Sequence, residues 1–275
     1  MGKNDFGYEG QRVLVVGGAT GMGAAAAKTV AELGGEVIVM DFAPVEHPVA
    51  RAIHVDLQNK DAIDAALAEV GGPVDALFSA AGIAGGAGVM RVNFIAHRHI
   101  IERMVDQALL GAGSAVCMIS SIAGLGWQNN LPKLHDFLAT TDYEAADEWV
   151  GAHDGTNTYT FSKQAINAYV ARAAYPLMAK GIRINAICPG PTDTPLAQAN
   201  SWFGFSQGYR EVTGLPVLQA EQMGNSMVFL NSRAASGVSG VNLLVDCGQI
   251  MSSIAGSYAP GAPVIDFLMK AENMP

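Results

Sequence analysis

The chain has 275 residues, a formal net charge of −9 and a hydrophobic fraction of 50%. A chain of this length and composition can bury a large core, which excludes a disordered protein. The negative charge and the lack of a Lys/Arg cluster exclude nucleic acid and anionic membrane surfaces as partners. No run of about 18 apolar residues occurs, so no membrane span is predicted. The N-terminal residues lack the pattern of a signal peptide, so we expect a cytoplasmic protein.

The cysteine and histidine residues give neither a disulfide nor a metal signal. The three cysteines, Cys117, Cys188 and Cys247, are odd in number and include no Cys-x-x-Cys pair, which disfavours a disulfide framework and a zinc site. Each lies in or beside an apolar run, as small buried residues do. The six histidines are scattered along the chain. We therefore predict that the protein holds no metal ion.

Short apolar runs alternate with longer helical patterns along the chain. The runs are rich in Val and Ile and mostly lack polar alternation, which is typical of parallel strands buried on both faces. They lie at 12–16, 36–40, 52–55, 74–78, 115–120, 183–187 and 242–245. The helical patterns occupy 22–33, 60–70, 89–110, 157–179 and 221–232. This order predicts an α/β fold: a doubly wound, Rossmann-like parallel sheet of about seven strands in three layers, as one domain over residues 1–275.

Two segments fall outside this alternation. Residues 124–156 are too many for an ordinary connection, and Leu131, Leu134 and Leu138 share one helical face within them. We predict a helical insertion there, which serves as a lid or as an interface. Residues 249–275 form a C-terminal extension with apolar patches, which closes a pocket or forms an interface.

A glycine-rich turn follows the first predicted strand. Gly17, Gly21 and Gly23 have the spacing G-x-x-x-G-x-G between that strand and the first helix. Such a turn lets a pyrophosphate approach the backbone, and the helix N-terminus offers free N–H groups. Plain packing of a helix on a strand is the alternative use of such glycines. We predict that the turn, with Thr20 and Met22, binds the phosphates of a dinucleotide.

Asp41, at the end of the second run, indicates which dinucleotide is bound. It lies 18 residues after Gly23, close to the ~20-residue offset of the acid that binds the adenosine ribose. A carboxylate there would repel a 2′-phosphate, and neither Thr20 nor Phe42 offers a cation. The sequence therefore predicts NAD rather than NADP as the cofactor, with Phe42 beside it. A solvated aspartate at a strand end is the alternative.

Two further strand ends carry candidate cofactor residues. Asp56, followed by Leu57, contacts the adenine in one interpretation and caps a helix in the other. Ala80, Ala81 and Gly82 follow the fourth run, where small side chains let a cofactor lie against the strand end. We include all five among the predicted cofactor residues.

The candidate proton-transfer pair lies at the start of a long predicted helix. Tyr159 and Lys163 are four residues apart, so their side chains share one helical face. A tyrosine with a pKa of about 10 is a poor base at neutral pH, and a nearby cation favours the tyrosinate. We therefore expect Lys163 to lower the pKa of Tyr159, which makes a general acid–base. Tyr-x-x-x-Lys alone occurs by chance in many helices.

Ser121 and Asn93 complete the candidate catalytic set. Ser121 follows the fifth run, at a strand end where open α/β sheets bind ligands, and its hydroxyl can hold the substrate oxygen. Asn93 lies in the helix after the fourth run. It either orders a water molecule or braces the backbone, and its spacing does not separate the two roles.

Together these motifs resemble those of the single-domain short-chain dehydrogenase/reductase family over roughly residues 10–250. The matching pieces are the glycine turn, Ala81-Gly82, Asn93, Ser120-Ser121, Tyr159-x-x-x-Lys163 and the run 189–194. The resemblance implies that Ser121 stabilises the substrate oxygen, that Tyr159 transfers the proton and that Asn93 supports a water relay.

The resemblance also assigns cofactor contacts. It implies that Lys163 binds the nicotinamide ribose and tunes Tyr159. It further implies that the segment after the sixth run holds the nicotinamide, with Thr192 at the carboxamide. The cofactor residues implied there are Pro189, Gly190, Thr192 and Thr194.

Three features depart from the common family pattern. Val16 replaces the usual Thr before the first glycine, and Ser79-Ala80 replaces the usual Asn-Asn. Ser121 and Tyr159 are 38 residues apart, more than in most members. The long gap resembles that of bacterial 3α-hydroxysteroid dehydrogenase/carbonyl reductases and of coniferyl-alcohol dehydrogenases. The resemblance implies a homodimer or a homotetramer.

Aromatic residues after Thr194 concern the substrate. Trp202, Phe203, Phe205 and Tyr209 lie in the segment that covers the substrate in this family, and they favour a small hydrophobic alcohol or ketone. Packing of this segment on its own chain or on a partner subunit is the alternative.

We therefore expect an NAD-dependent enzyme that interconverts a secondary or aryl alcohol with its carbonyl. Hydroxysteroids and aromatic or cyclic alcohols are the candidate substrates. The alternatives are an NADP-dependent ketoreductase of acyl chains and a non-catalytic dinucleotide-binding regulator.

Overall fold

The computed structural model describes residues 4–200 and 202–269. The strands are β1 Arg12–Val16, β2 Glu36–Asp41, β3 Arg51–His54, β4 Ala76–Ser79, β5 Ala115–Ile119, β6 Arg183–Pro189, β7 Thr192–Asp193, β8 Leu218–Gln219 and β9 Asn242–Val245. Seven of them form a parallel sheet in the order β3-β2-β1-β4-β5-β6-β9. The short strands β7 and β8 pair separately with each other.

Helices of varied length connect the strands. In chain order they are α1 Gly21–Glu32, α2 Lys60–Val70, α3 Ala96–Asp106, α4 Leu131–Leu138, α5 Tyr143–Ala152, α6 Tyr159–Met178, α7 Pro195–Asn200, α8 Gly204–Thr213, α9 Ala220–Asn231, α10 Gln249–Ile254 and α11 Ala262–Met269. Within the described residues, no helix combines the length and the apolar character needed to cross a membrane.

The side chains of the central strands alternate between two apolar cores. In β1, Leu14 and Val16 belong to the core beneath α2, α3 and α6, whereas Val13 and Val15 belong to the core beneath α1 and α9. The predicted doubly wound sheet in three layers is therefore confirmed. The strand order reverses between β1 and β4, and open α/β sheets bind ligands at the carboxyl ends of the strands at such a point.

The helix predicted over residues 89–110 differs from the observed one at both ends. Arg91–Ile95 forms one turn of π-helix before α3, and π-turns often mark functional sites. The helix ends before the predicted residue 110 because Ala108 has a φ of +56°. This is the left-handed conformation, which does not continue a right-handed helix.

The predicted helical insertion contains α4 and α5. The ring centre of Phe137 in α4 lies 5.4 Å from that of Phe94 and 5.7 Å from that of Phe161. Asp147 in α5 pairs with Arg91 through both carboxylate oxygens, at 2.6 and 2.7 Å. The insertion therefore packs on the chain's own helices and joins the core on that face of the sheet. The predicted homodimer or homotetramer stays a prediction.

The C-terminal extension folds back toward the turn that follows β5. Leu268 in α11 is buried against Ile122 and Ile250. The side chain of Asn129 donates a hydrogen bond to the backbone oxygen of Met269 at 3.2 Å. Residues 270–275, the end of the predicted extension, lie outside the described residues. A single domain over residues 1–275 therefore stays a prediction.

Candidate active site

Two adjoining cavities lie at the carboxyl ends of the central strands. The first, here called the glycine-turn cavity, has a volume of about 350 Å³ and is bounded by the turn after β1 and the ends of β2 and β3. The second, the tyrosine cavity, has a volume of about 290 Å³ and is bounded by the end of β5, the start of α6 and the segment after β6. Their shared walls are Met22, Ala80, Ala81, Gly82, Thr194 and Leu196. The two therefore form one elongated cleft where the strand order reverses.

The predicted site residues are distributed along this cleft. Those on the glycine-turn cavity alone are Gly17, Thr20, Gly21, Gly23, Asp41, Phe42, Asp56 and Leu57. Those on the tyrosine cavity alone are Ser121, Tyr159, Lys163, Pro189, Gly190 and Thr192. Asn93 lines neither cavity.

The turn after β1 is compact enough to admit a phosphate against the backbone. Gly17 has a φ of +85°, which favours glycine. A Cβ atom at Gly17 would overlap the backbone of Ala81, and one at Gly23 would overlap the carbonyl oxygen of Gly17. The side chain of Thr20 makes no capping hydrogen bond to α1, so the N–H groups of that first turn are available to an anion. The residues present therefore fit the pyrophosphate of a dinucleotide.

The carboxylate of Asp41 is held at the edge of the glycine-turn cavity by two backbone groups. Its oxygens accept hydrogen bonds from the N–H groups of Ala19 and Ala43, both at 2.8 Å. Each oxygen keeps lone-pair capacity for a ribose hydroxyl. Asp41 and Asp56 are the charged side chains among the described residues that line this cavity, and no Lys or Arg lines it.

Asp56 does not cap the helix that follows it. Asn59 caps α2 by accepting a hydrogen bond from the N–H of Ala62 at 3.1 Å, whereas Asp56 accepts one from the N–H of Gln58 at 2.9 Å. The helix-cap interpretation of Asp56 is therefore wrong. Gln58 also lines the glycine-turn cavity, and no spacing rule singles it out in the sequence.

Ser121, Tyr159 and Lys163 come together on the wall of the tyrosine cavity. The Nζ atom of Lys163 donates a hydrogen bond to the carbonyl oxygen of Ile119, at the end of β5, at 2.9 Å. The same atom lies 5.3 Å from the ring centre of Tyr159. Ser121 precedes a 3₁₀ turn, Ile122–Gly124, and its hydroxyl oxygen accepts a hydrogen bond from the N–H of Ala123 at 3.1 Å. One strand end and one helical turn thus supply all three side chains.

Tyr159 is partly buried on the wall of the tyrosine cavity, and its surroundings shift its pKa. Loss of hydration raises its pKa from 10.0 to about 12, while a hydrogen bond with the Ser121 hydroxyl acts in the opposite direction. The Lys163 amino group lies beside the ring and donates to Ile119. The direction of this pKa shift is opposite to the lowering expected from Lys163, whose effect on Tyr159 stays a prediction. At neutral pH, Tyr159 carries its proton.

Lys163 is also strongly affected by burial. Its side chain is 3% exposed, and the loss of hydration lowers its pKa from 10.5 to about 8, with a smaller opposing effect from Cys188. Burial raises the pKa of the Cys188 thiol to about 11. Cys188 is therefore a neutral thiol beside the site.

The side chain of Asn93 braces the backbone. Its Oδ1 atom accepts a hydrogen bond from the N–H of Ile83 at 2.8 Å, and its Nδ2 atom donates to the carbonyl oxygen of Ile83 at 2.9 Å. Nδ2 also donates to the Ser162 hydroxyl at 3.1 Å. These contacts hold the loop after Gly82 against α6. The brace interpretation is thus the one that the observed contacts fit, and the water relay stays a prediction.

The segment after β6 is held in shape by its own hydroxyl groups. The hydroxyl of Thr192 donates a hydrogen bond to the carbonyl oxygen of Gly190 at 2.8 Å. The hydroxyl of Thr194 accepts one from the N–H of Ala197, in the first turn of α7, at 3.2 Å. These bonds fix the shape of the segment where it borders the two cavities of the cleft.

Aromatic rings form the outer wall of the tyrosine cavity. The ring centre of Trp202 lies 4.9 Å from the ring centre of Tyr159. The ring centres of Phe205 and Phe267 lie 6.2 Å apart, and the two rings are nearly parallel. Leu268 lines the same cavity. Sequence reasoning did not single out Phe267 or Leu268, because they lie more than a hundred residues from Ser121 and Tyr159 with no motif around them.

Two of the aromatic residues that follow Thr194 lie away from this wall. Phe203 does not line the tyrosine cavity. Neither does Tyr209, whose hydroxyl donates a hydrogen bond to the carbonyl oxygen of Cys247 at 3.0 Å. Tyr209 therefore packs on its own chain, which was the alternative for this aromatic segment, while Trp202 and Phe205 line the cavity.

Comparison with known proteins identifies the family. A family model described as enoyl-(acyl carrier protein) reductase matches residues 17–249. The chain is 32% identical to the cis-4-hydroxycyclohexanecarboxylate dehydrogenase of Sinomonas cyclohexanicum, over 86% of this chain and 96% of that one. It is 28% identical to the 3-alpha-hydroxysteroid dehydrogenase/carbonyl reductase of Comamonas testosteroni, over 86% and 95%.

A solved structure of a hydroxysteroid dehydrogenase is also similar to this chain. The 3-alpha-hydroxysteroid dehydrogenase from Pseudomonas sp. B-0831, complexed with NADH, is similar with a TM-score of 0.71 and 25% identity, over 90% of this chain and 99% of that one. The chain belongs to the short-chain dehydrogenase/reductase family. It is an oxidoreductase that acts on alcohols and binds a nicotinamide dinucleotide.

Lys163 should make the stability of the protein depend on pH. Its pKa is about 8 in the folded chain, against an ordinary value of 10.5. Between these values the unfolded chain binds a proton that the folded chain has lost, so the free energy of unfolding should rise with pH, by at most ~1.4 kcal/mol per unit. The cost of burying the ammonium group is present in full below pH 8.

Chemical denaturation across pH 7 to 11, roughly the range around these two values, measures this effect without added dinucleotide. The control is Lys163→Met, which keeps an unbranched side chain and removes the charge. The difference in stability between the two proteins should change across the window. A difference that stays constant with pH would show that the amine is not dehydrated as described.

Proposed function

We propose that the protein interconverts a secondary or aryl alcohol with its carbonyl and uses NAD. The observation that carries this proposal is the convergence of Ser121, Tyr159 and Lys163 on an apolar cavity that continues into the glycine-turn cavity. Bound along this cleft, NAD would supply or accept the hydride. A non-catalytic dinucleotide-binding regulator has no need for a proton donor on an apolar cavity, so the same convergence argues against that alternative.

Each of the three side chains has a distinct task in carbonyl reduction. Tyr159 donates its phenolic proton to the carbonyl oxygen. Ser121 donates a hydrogen bond to the same oxygen, where negative charge develops in the transition state. Lys163, fixed by Ile119, would hold the nicotinamide ribose, and Thr192 would contact the carboxamide.

The raised pKa of Tyr159 separates the two directions of the reaction. At neutral pH the phenol carries the proton that reduction consumes, so the residue is ready for that direction. In alcohol oxidation Tyr159 must first lose this proton, because only the tyrosinate can accept the proton of the hydroxyl group. We therefore infer that reduction is favoured near neutral pH and that oxidation accelerates as the pH rises.

NAD is favoured over NADP by the charges of the glycine-turn cavity. Asp41 and Asp56 place two carboxylates there, and the described lining contains no Lys or Arg to bind a 2′-phosphate. The same argument weighs against the NADP-dependent ketoreductase. Like charges in one confined site repel, and here no counter-charge compensates.

The tyrosine cavity favours an uncharged cyclic or aromatic substrate. Within residues 4–200 and 202–269, Lys163 is the one charged side chain on its wall, and its amino group is already bonded to Ile119. Two relatives are named for cyclic alcohols, a hydroxycyclohexanecarboxylate and a hydroxysteroid. A neutral hydroxysteroid, cyclic alcohol or aryl alcohol fits this wall better than a carboxylate does.

Replacement of Tyr159 by Phe tests the reaction class. Turnover should fall by at least ~100-fold, the lower end of what a general acid contributes, while NAD affinity stays within about twofold because the ring remains. The assay follows NADH absorbance with hydroxysteroids, cyclohexanol and aryl alcohols, and with their ketones or aldehydes. Wild-type oxidation should increase with pH more steeply than reduction. Undiminished turnover in Tyr159→Phe would remove this residue from the mechanism.

Replacement of residues 41 and 42 tests the choice of dinucleotide. The wild-type protein should bind NAD more tightly than NADP. Asp41→Ser with Phe42→Arg should reverse that preference, because it removes the repelling carboxylate and adds a cation at a side chain that is 67% exposed. Phe42→Ala alone is the control, since it changes no charge. Calorimetric titration with both dinucleotides measures the ratio, and a wild-type preference for NADP would contradict the proposal.

Phe267→Ala tests whether the C-terminal helix contributes to substrate binding. Loss of part of the apolar wall should raise KM for the best apolar alcohol about tenfold with kcat little changed, as expected when uniform binding is lost. Phe6→Ala is a matched control, because Phe6 stacks on Phe229 at 6.4 Å much as Phe267 stacks on Phe205 but lies outside the cavity. Equal KM changes in both variants would refute a role for Phe267.

A further inference from the structure

A third polar residue shares the helical face of Tyr159 and Lys163. Asn167 lies four residues after Lys163 in α6, so the three side chains follow one another along the helix at successive turns. Asn167 is 1% exposed and does not line either cavity of the cleft. A buried amide in the middle of a helix has to be matched by hydrogen-bond partners.

The hydrogen-bond partners of Asn167 come from three different parts of the chain. Its Nδ2 atom donates a hydrogen bond to the carbonyl oxygen of Gly124 at 3.0 Å. Its Oδ1 atom accepts one from the Cys188 thiol, in β6, at 3.5 Å. In addition, its backbone oxygen accepts one from the side chain of Asn242, in β9, at 3.1 Å. Asn167 therefore connects the catalytic helix to the turn after β5 and to two strands.

The bond to Gly124 matters most, because that residue ends the turn that Ser121 begins. The N–H of Gly124 donates to the carbonyl oxygen of Ser121 at 3.0 Å, so the turn moves as one short unit. A Cβ atom at Gly124 would lie 2.7 Å from Nδ2 of Asn167 and 2.8 Å from the carbonyl oxygen of Lys163. The turn and the helix are thus in direct contact at the point where the Asn167 side chain joins them.

Two other bonds attach α6 to the end of β5. Lys163 donates to Ile119 at 2.9 Å, and the Ser120 hydroxyl donates to the carbonyl oxygen of Lys163 at 3.1 Å. Both bonds involve residues that precede Ser121 in the chain. Asn167 supplies the bond on the far side, so Ser121 is held between attachments to the same helix that carries Tyr159.

We infer that Asn167 is a positioning residue, which sets the distance between the Ser121 hydroxyl and the Tyr159 hydroxyl by holding the Ile122–Gly124 turn against α6. It acts through Ser121 and does not touch the substrate. This inference rests on the proposed function, because both hydroxyl groups are assigned there to one substrate oxygen. Reactions of this type are sensitive to such distances, and a misplacement of about 1 Å can cost about 100-fold in rate.

The first test compares two buried asparagines that make similar bonds. Asn167→Leu removes the bond to Gly124 and keeps the side-chain size. Asn231→Leu is the matched control, since Asn231 lies in α9, is 4% exposed and donates to the carbonyl oxygen of Leu77 at 3.0 Å. We expect kcat for the best alcohol of the panel to fall between ~10-fold and ~100-fold in Asn167→Leu, with NAD affinity and KM within twofold. Asn231→Leu should lower stability without changing kcat.

The second test asks whether the effect passes through Ser121. In a Ser121→Ala background, Asn167→Leu should lower kcat by less than about threefold, because the group that it positions is already gone. A full additional loss would show that Asn167 acts by another route and would overturn the inference. Equal kcat losses in Asn167→Leu and Asn231→Leu would do the same, since they would reflect general destabilisation.

Asn167→Asp keeps the inference testable if the leucine variant does not fold. The carboxylate can accept from Cys188 but cannot donate to Gly124 until it is protonated. Its kcat relative to wild type should therefore recover as the pH falls, whereas a flat ratio would contradict the role of the Gly124 bond. Wild-type turnover in the same assay reports on the proposed function separately, because it must be present before any of these ratios can be measured.

Discussion

The burial of one amino group organises the half of the cleft that forms the tyrosine cavity. The Nζ atom of Lys163 is taken out of water at the end of β5, where an unpaired ammonium group would be very unfavourable. The carbonyl oxygen of Ile119 supplies its partner at 2.9 Å. Ile119 is the last residue of β5, so this bond lies at the carboxyl end of the strand. The helix that carries Lys163 must therefore approach the strand end closely, and this approach brings Tyr159 opposite Ser121.

Much of this arrangement can be predicted from the sequence, because it follows from short-range patterns. The strands of the central sheet are continuous apolar runs, since both of their faces are covered by helices. Gly17 and Gly23 are identifiable because any side chain there would overlap the neighbouring backbone. Tyr159 and Lys163 are related by helical spacing alone. The position of Ser121 follows from the rule that ligands lie at the carboxyl ends of strands.

The parts that cannot be predicted depend on contacts between distant segments. The spacing of Tyr159 and Lys163 shows that the two are neighbours, but it does not show how deeply they are buried, and burial decides the pKa of both. The sequence leaves two possible roles for Asn93. Its bonds to the backbone of Ile83 depend on the folded path of the loop after β4, which the sequence pattern does not show. Phe267 reaches the cavity because α11 folds back over the turn after β5, and no local motif encodes that path.

The proposed substrate preference and the proposed direction of reaction have a common physical origin. The apolar rings of Trp202 and Phe267 on the cavity wall suit the hydrophobic alcohol or ketone that we propose as substrate. The same apolar surroundings reduce the hydration of the Tyr159 hydroxyl and raise its pKa. A more polar wall would lower that pKa and make Tyr159 a better base, but it would also weaken the binding of an apolar substrate. The Ser121 hydroxyl is the group that relaxes this conflict, since its hydrogen bond favours the tyrosinate without adding charge to the cavity.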